Sequence, residues 1–232
     1  MYVCTITVTL PSLDLALPLA HNPRMKKGKF IVIDGIGGCG KTTHAKLLHA
    51  RMGKGTVLTH EPGGAPLAEK IRKLLLHGLI PTADVVTEFF LFWTARAEHM
   101  REKIVPSLRA GKHVISDRFD SSTFAFQIFG EKHPQLTRLF WEARKVVLGN
   151  NAPDAYIILD IPVLSAEKHR AGRKPTKDRF DEKNRVYQER VRTGFKVFAK
   201  EIGPRAHVVN ANRTQREVDA EIWHIVSKKL IA

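Results

Sequence analysis

FIVIDGIGGCGKTT, residues 30–43, joins a short apolar run to a glycine-rich turn and a lysine–threonine pair. Phe30–Ile33 is a continuous β-branched and aromatic run, the pattern of a strand buried on both faces. Gly35, Gly40, Lys41 and Thr42 occupy the defining positions of GxxxxGK[ST]. Each residue type answers a need of polyphosphate binding. Glycines let consecutive backbone N–H groups turn inward around the anion. The helix that follows presents its positive N-terminal end. Lys41 is a mobile point charge for the β- and γ-phosphates, and Thr42 supplies a hydroxyl to Mg²⁺. Gly35, Ile36, Gly37, Gly38, Cys39, Gly40, Lys41, Thr42 and Thr43 are therefore the expected ATP-binding stretch. A chance match to this pattern arises in on the order of one in a hundred chains of this length.

Working outward, strand-like runs alternate with longer amphipathic ones. Strands are expected at Phe30–Ile33, Thr56–His60, His113–Ser116, Ala155–Ile161 and His207–Ala211. Helices are expected at Lys41–Met52, Leu67–Leu76, Asp84–Ile104, Ser122–Phe129, Gln135–Leu148, Ser165–Arg170, Lys183–Lys200 and Glu217–Leu230. Apolar strands separated by helices predict one α/β domain around a parallel sheet covered on both faces. At 232 residues there is room for one sizeable core.

The third strand ends HVISDR. Asp117 at a strand end near the loop suits the Mg²⁺ environment or a substrate hydroxyl. Arg118 stands where an ATPase that activates water carries a glutamate. A guanidinium there grips phosphate bidentately, which favours transfer to a phosphate-bearing acceptor over hydrolysis.

The motifs in order resemble the thymidylate kinases from Lys29 to Leu230. They are FIVIDGIGGCGKTT, THEPGG (Thr59–Gly64), LAEKIRKLLL (Leu67–Leu76), FLFWTARAEH (Phe90–His99), VISDRFDSSTFAFQ (Val114–Gln127), APDAYIILDI (Ala152–Ile161), DRFD (Asp178–Asp181) and VRTGF (Val191–Phe195). The resemblance implies a phosphate-loop NTPase-type three-layer fold with a five-stranded parallel sheet and a helical lid. It further implies a homodimer, ATP with Mg²⁺, and dTMP as the acceptor. By the same resemblance Phe92 stacks on thymine and Arg96 hydrogen-bonds it. Arg72 and Arg118 lie near the acceptor phosphate, and Thr123, Phe126 and Gln127 line the base pocket. Phe92 and Arg96 stand at i and i+4, on one helix face. Arginine only donates, which matches thymine O4 and not the amine of cytosine.

RAGRKPTKDRFD, residues 170–181, resembles the lid over ATP, placed at about 165–182. Gly38 leaves the loop without the arginine that some family members carry there. The catalytic cation is then expected from the lid, with Arg173 first and Arg179 second, and Arg170 as a further candidate. Three departures bear on acceptor choice. Gly37 replaces a carboxylate near the sugar, with Asp34 a partial substitute; His60 replaces an arginine; Phe119 and Phe126 replace tyrosines. These leave room for a relaxed acceptor choice, such as a broad pyrimidine monophosphate kinase or a deoxynucleoside kinase.

The net charge is +15, which calls for anionic partners. A nucleic-acid-binding phosphate-loop protein would interleave basic and aromatic residues along one groove. Here lysines and arginines spread over most helices and cluster most densely at residues 170–181, so nucleic acid is not the expected partner. Cys4 and Cys39 form no disulfide framework, as expected for the cytoplasm. Residues 1–24 lack the basic start of a signal peptide, and Pro11, Asp14 and Pro18 interrupt their apolar run. They are expected to lie outside the fold, with Met25 as its start. No stretch reads as a membrane span.

Overall fold

The computed structural model describes residues 27–76, 84–172, 180 and 183–229. The N-terminal segment 1–24 and the lid residues Arg173 and Arg179 lie outside them.

The elements follow in the order β1 (Phe30–Gly35), α1 (Lys41–Met52), β2 (Thr56–His60), α2 (Pro66–Leu76), α3 (Val85–His99), α4 (Val105–Arg109), β3 (His113–Asp117), α5 (Asp120–Thr123), α6 (Leu136–Leu148), β4 (Ala155–Asp160), α7 (Val163–Ala171), α8 (Arg185–Ile202), β5 (Ala206–Asn210) and α9 (Gln215–Lys229). The sheet is parallel throughout, in the order β2-β3-β1-β4-β5. Every residue of β1 is buried, inward and outward alike, so helices cover both faces of the sheet. This is the α/β architecture of phosphate-loop NTPases. Among the described residues, no helix is long and apolar enough to cross a membrane.

Two expected helices differ in detail. Asp84–Ile104 is α3 followed by a π turn, Met100–Ile104, which runs on into α4. Asp84 caps α3 by accepting from Val86 N at 3.1 Å. Pro106 follows directly on the π turn and has no N–H to give this continuous helix. Ser122–Phe129 is α5 followed by a second π turn, Phe124–Gly130. Such bulges gather near functional sites. The second one rests on an aromatic cluster of Phe124, Phe140, Trp141 and Phe198, whose ring centroids lie 5.0–6.3 Å apart. That packing gives the Thr123–Gln127 stretch a rigid bed. The C-terminal ends of β1, β2 and β3 converge on one edge of the sheet, the usual place for ligands in open α/β folds.

Candidate active site

The phosphate loop leaves β1 at Gly35 and enters α1 at Lys41. Gly40, the N-cap of α1, has φ 96°, a left-handed backbone that suits glycine. No acidic side chain sits in the first turn of α1, so its positive end is uncompensated. Lys41 Nζ donates to Ile36 O at 2.8 Å, which holds the ammonium over the loop. Thr42 Oγ1 donates to Asp117 Oδ2 at 2.5 Å. These two side chains are the hard oxygen donors that Mg²⁺ prefers. Among the described residues no group of three His, Cys, Asp or Glu side chains could hold a metal. Mg²⁺ at phosphate sites is held by one or two protein oxygens plus substrate phosphates. Burial pushes the Cys39 thiol up from its ordinary pKa, so it stays protonated and unreactive.

Helix α7 is docked on this loop. Arg170 Nη1 donates to Gly37 O at 2.7 Å, and His169 Nδ1 lies 3.1 Å from Gly38 O. Gly38 has φ +85°, and a Cβ on it would stand 2.4 Å from Ala166 O. The absent side chain at Gly38 is what lets α7 approach the loop.

Arg118 stands between the loop and the neighbouring cleft. Its backbone is left-handed, with φ 68°, rare for a residue with a side chain and typical of functional positions. Its Nη1 lies 3.2 Å from Gly35 O, 3.1 Å from Ser122 Oγ and 3.5 Å from Asp34 Oδ1. Asp34 itself is fully buried and does not line the cleft. Its carboxylate accepts from Ser121 Oγ (2.6 Å), Ser122 Oγ (2.9 Å), Gly35 N (2.8 Å) and Phe119 N (3.3 Å). Burial raises its pKa, and Arg118 offsets part of that rise. Asp34 thus braces the Arg118–Ser122 turn, a different task from the sugar contact expected of it.

The cleft measures about 510 Å³ out to its open mouth, and Arg72, Phe92, Arg96, Arg118, Thr123, Phe126 and Gln127 all line it. Arg96 is only 2% exposed. Its Nε donates to Glu61 Oε2 at 2.9 Å, and its Nη2 donates to Thr123 Oγ1 at 3.1 Å. Its plane lies 4.6 Å from the Trp93 ring and 5.2 Å from Phe119. Arg96 Nη1 has no hydrogen-bond partner, and neither has Gln127 Nε2. Two unpartnered buried donors beside a half-buried Phe92 are an unmet demand for acceptor atoms on a flat ring. Arg72 Nη1 is tied to Pro62 O at 2.6 Å. The cleft thus pairs an aromatic wall with buried donors, and Arg118 stands where it meets the phosphate loop.

Sequence reasoning missed five residues: Glu61, His99, Ser121, Ser122 and Phe180. Phe180 closes the apolar wall, 6.1 Å from Phe92 and 5.7 Å from Phe126 between centroids. The signal for Glu61 was present, as an acid inside THEPGG. His60, in the position where an arginine was expected, pairs with Glu69 at 3.0 Å and leaves the cleft alone. Burial, and Arg72 after it, lower its pKa.

The thymidylate kinase family model matches residues 33–222. A thymidylate kinase of Cupriavidus metallidurans is 39% identical over 206 residues, covering 87% of this chain and 98% of that protein. One from Ruegeria pomeroyi is 36% identical over 202 residues, covering 86% and 94%. The crystal structure of a thymidylate kinase from Ehrlichia chaffeensis superposes with a TM-score of 0.71 at 29% identity, covering 86% of this chain and 99% of that one.

Proposed function

The chain belongs to the thymidylate kinase family, and from that membership we propose that its cleft takes dTMP and its loop takes ATP, the γ-phosphoryl group passing between them to give dTDP for dTTP synthesis. The observation that carries the acceptor assignment is the pair of unpartnered donors, Arg96 Nη1 and Gln127 Nε2, beside Phe92. Thymine offers an acceptor oxygen at O4 where cytosine offers a donor amine. Arg96 therefore favours thymine and strands an N–H against cytosine.

The residues divide the work along the path of the phosphoryl group. Arg118 holds the acceptor phosphate against the loop so that an acceptor oxygen lies in line with the γ-phosphorus. Arg72 supports that phosphate from the other wall. Lys41 follows the migrating group, and backbone N–H groups of Ile36–Thr43 bind the donor phosphates. Thr42 and Asp117 are the residues that would hold Mg²⁺, which neutralises charge on the β- and γ-oxygens when bound. The transferred group spreads negative charge over its equatorial oxygens, and Gly38 supplies no cation to meet it. Arg173, with Arg170 and Arg179, is assigned that role; the docking of Arg170 on Gly37 O supports a lid rooted at the loop.

Exposed Leu67 and Leu74 on α2, and Val86 and Phe90 on the adjoining α3, support a homodimer through these helices. Light scattering at twice the chain mass checks it.

An ADP-release assay across the nucleoside monophosphates and free thymidine tests the function. The expected order is dTMP, then dUMP, then dCMP and the purines far behind. The dUMP gap should be small, because one methyl group is worth about 1 kcal/mol. Preference for free thymidine, or no preference among bases, contradicts the assignment.

A further inference from the structure

Three residues of THEPGG converge on one side chain, the fully buried imidazole of His99. Thr59 Oγ1 lies 2.7 Å from its Nε2, and Glu61 Oε1 lies 3.0 Å from its Nδ1. Gly64 presses so close that a Cβ there would stand 2.4 Å from Nε2. The other oxygen of Glu61 accepts from Arg96 Nε. One carboxylate is thus shared between an imidazole and a guanidinium that sit three residues apart on α3. A neutral imidazole satisfies the whole set: Nδ1–H donates to Glu61, and the Thr59 hydroxyl donates to Nε2.

A buried ion pair of this kind is a weak source of stability, because desolvation offsets most of its attraction. Its geometric effect is larger. With Nε fixed by Glu61 and Nη2 by Thr123, the guanidinium is held against rotation, and Nη1 is its nitrogen without a partner. Glu61 can hold Nε in place only if its own carboxylate is held, and His99 holds it.

We propose that His99, with Thr59 behind it, is a positioning residue for base recognition, which fixes Glu61 and through it the reading atom of Arg96. This rests on the cleft being the acceptor site. It assigns a purpose to THEPGG beyond that of a loop beside the phosphate site: Thr59, Glu61 and Gly64 are the socket for His99.

The experiment is steady-state kinetics on His99→Leu, His99→Asn and Thr59→Val, each with dTMP and dCMP, together with melting curves. His99→Leu is expected to raise KM for dTMP about 10-fold and to shrink the dTMP-over-dCMP ratio of kcat/KM by a similar factor. KM for ATP should hold, and kcat should stay within a few-fold of the parent. His99→Asn, whose amide nitrogen can stand in for Nδ1–H, should recover most of the ratio. Added to Arg96→Gln, His99→Leu should change the ratio no further, because the effect runs through Arg96. Should His99→Leu not fold, Thr59→Val keeps the shape of its site and should shift the ratio about 3-fold in the same direction. A lowered melting temperature with an unchanged ratio in these variants overturns the proposal and leaves His99 a core residue. A parent enzyme without preference for dTMP overturns the acceptor assignment instead, whatever the variants do.

Discussion

The phosphate loop is written in nine consecutive residues, Gly35–Thr43, whereas the cleft beside it is gathered from the turn after β2, from α2 and α3, from the β3–α5 turn, from α5 and the π turn after it, and from Phe180. Within the cleft's support, Glu61 and His99 meet across 38 positions of sequence. The difference follows from what each region binds with. The loop binds with backbone N–H groups, which come one per residue and in order. The cleft binds with side-chain atoms whose directions are set by remote partners. Truncating the loop's lysine side chain should therefore remove chemistry and leave folding intact. A change in the cleft should disturb selectivity and stability together.

Lys41→Ala is the sharpest test of the first half. It should cost on the order of 3 kcal/mol or more in kcat, while the denaturant midpoint stays at the parent value. A joint fall in rate and stability would erase the distinction between the two regions. Arg96→Ala tests the second half. It strands the Glu61 carboxylate, itself only 4% exposed, and should cost about 3 kcal/mol of folding stability as well as the dTMP preference. Arg96→Met with Glu61→Leu should recover only part of the stability, since both charges are gone but His99 Nδ1–H loses its acceptor, and should not recover the preference. Separate recovery of the two properties would confirm that the ion pair serves orientation. The smallest effect is expected where the loop meets α7. Gly38→Ala places a methyl against Ala166 O at a left-handed φ and should cost about 2 kcal/mol, read by denaturant unfolding, with a raised KM for ATP. An unchanged KM would show that the α7 contact is incidental to ATP binding.

The same contrast explains what the sequence could and could not reveal. Helix α1 begins and ends where periodicity and the GK boundary place it, because glycine and lysine have a local reason to stand there. Arg118 was legible as a residue beside the phosphate loop, and its left-handed backbone was not, since no residue pattern marks a strained arginine. The π turns at Met100–Ile104 and Phe124–Gly130 read as plain helix, because one extra residue per turn barely alters a 3.6-residue period. Asp34 looked like a ligand because it precedes the loop. Its burial depends on Ser121 and Ser122, which lie 87 and 88 positions away. His99 offered no signal on its own, since a lone histidine at a helix end is ordinary. Only the folded chain brings Thr59, Glu61 and Gly64 around it.

The most direct measurement is a crystal structure of the protein with dTMP bound. The account predicts thymine stacked on Phe92, with Arg96 Nη1 within hydrogen-bonding distance of O4 and Arg118 on the 5′-phosphate. A base seated elsewhere, or an O4 met by no atom of Arg96, would contradict it.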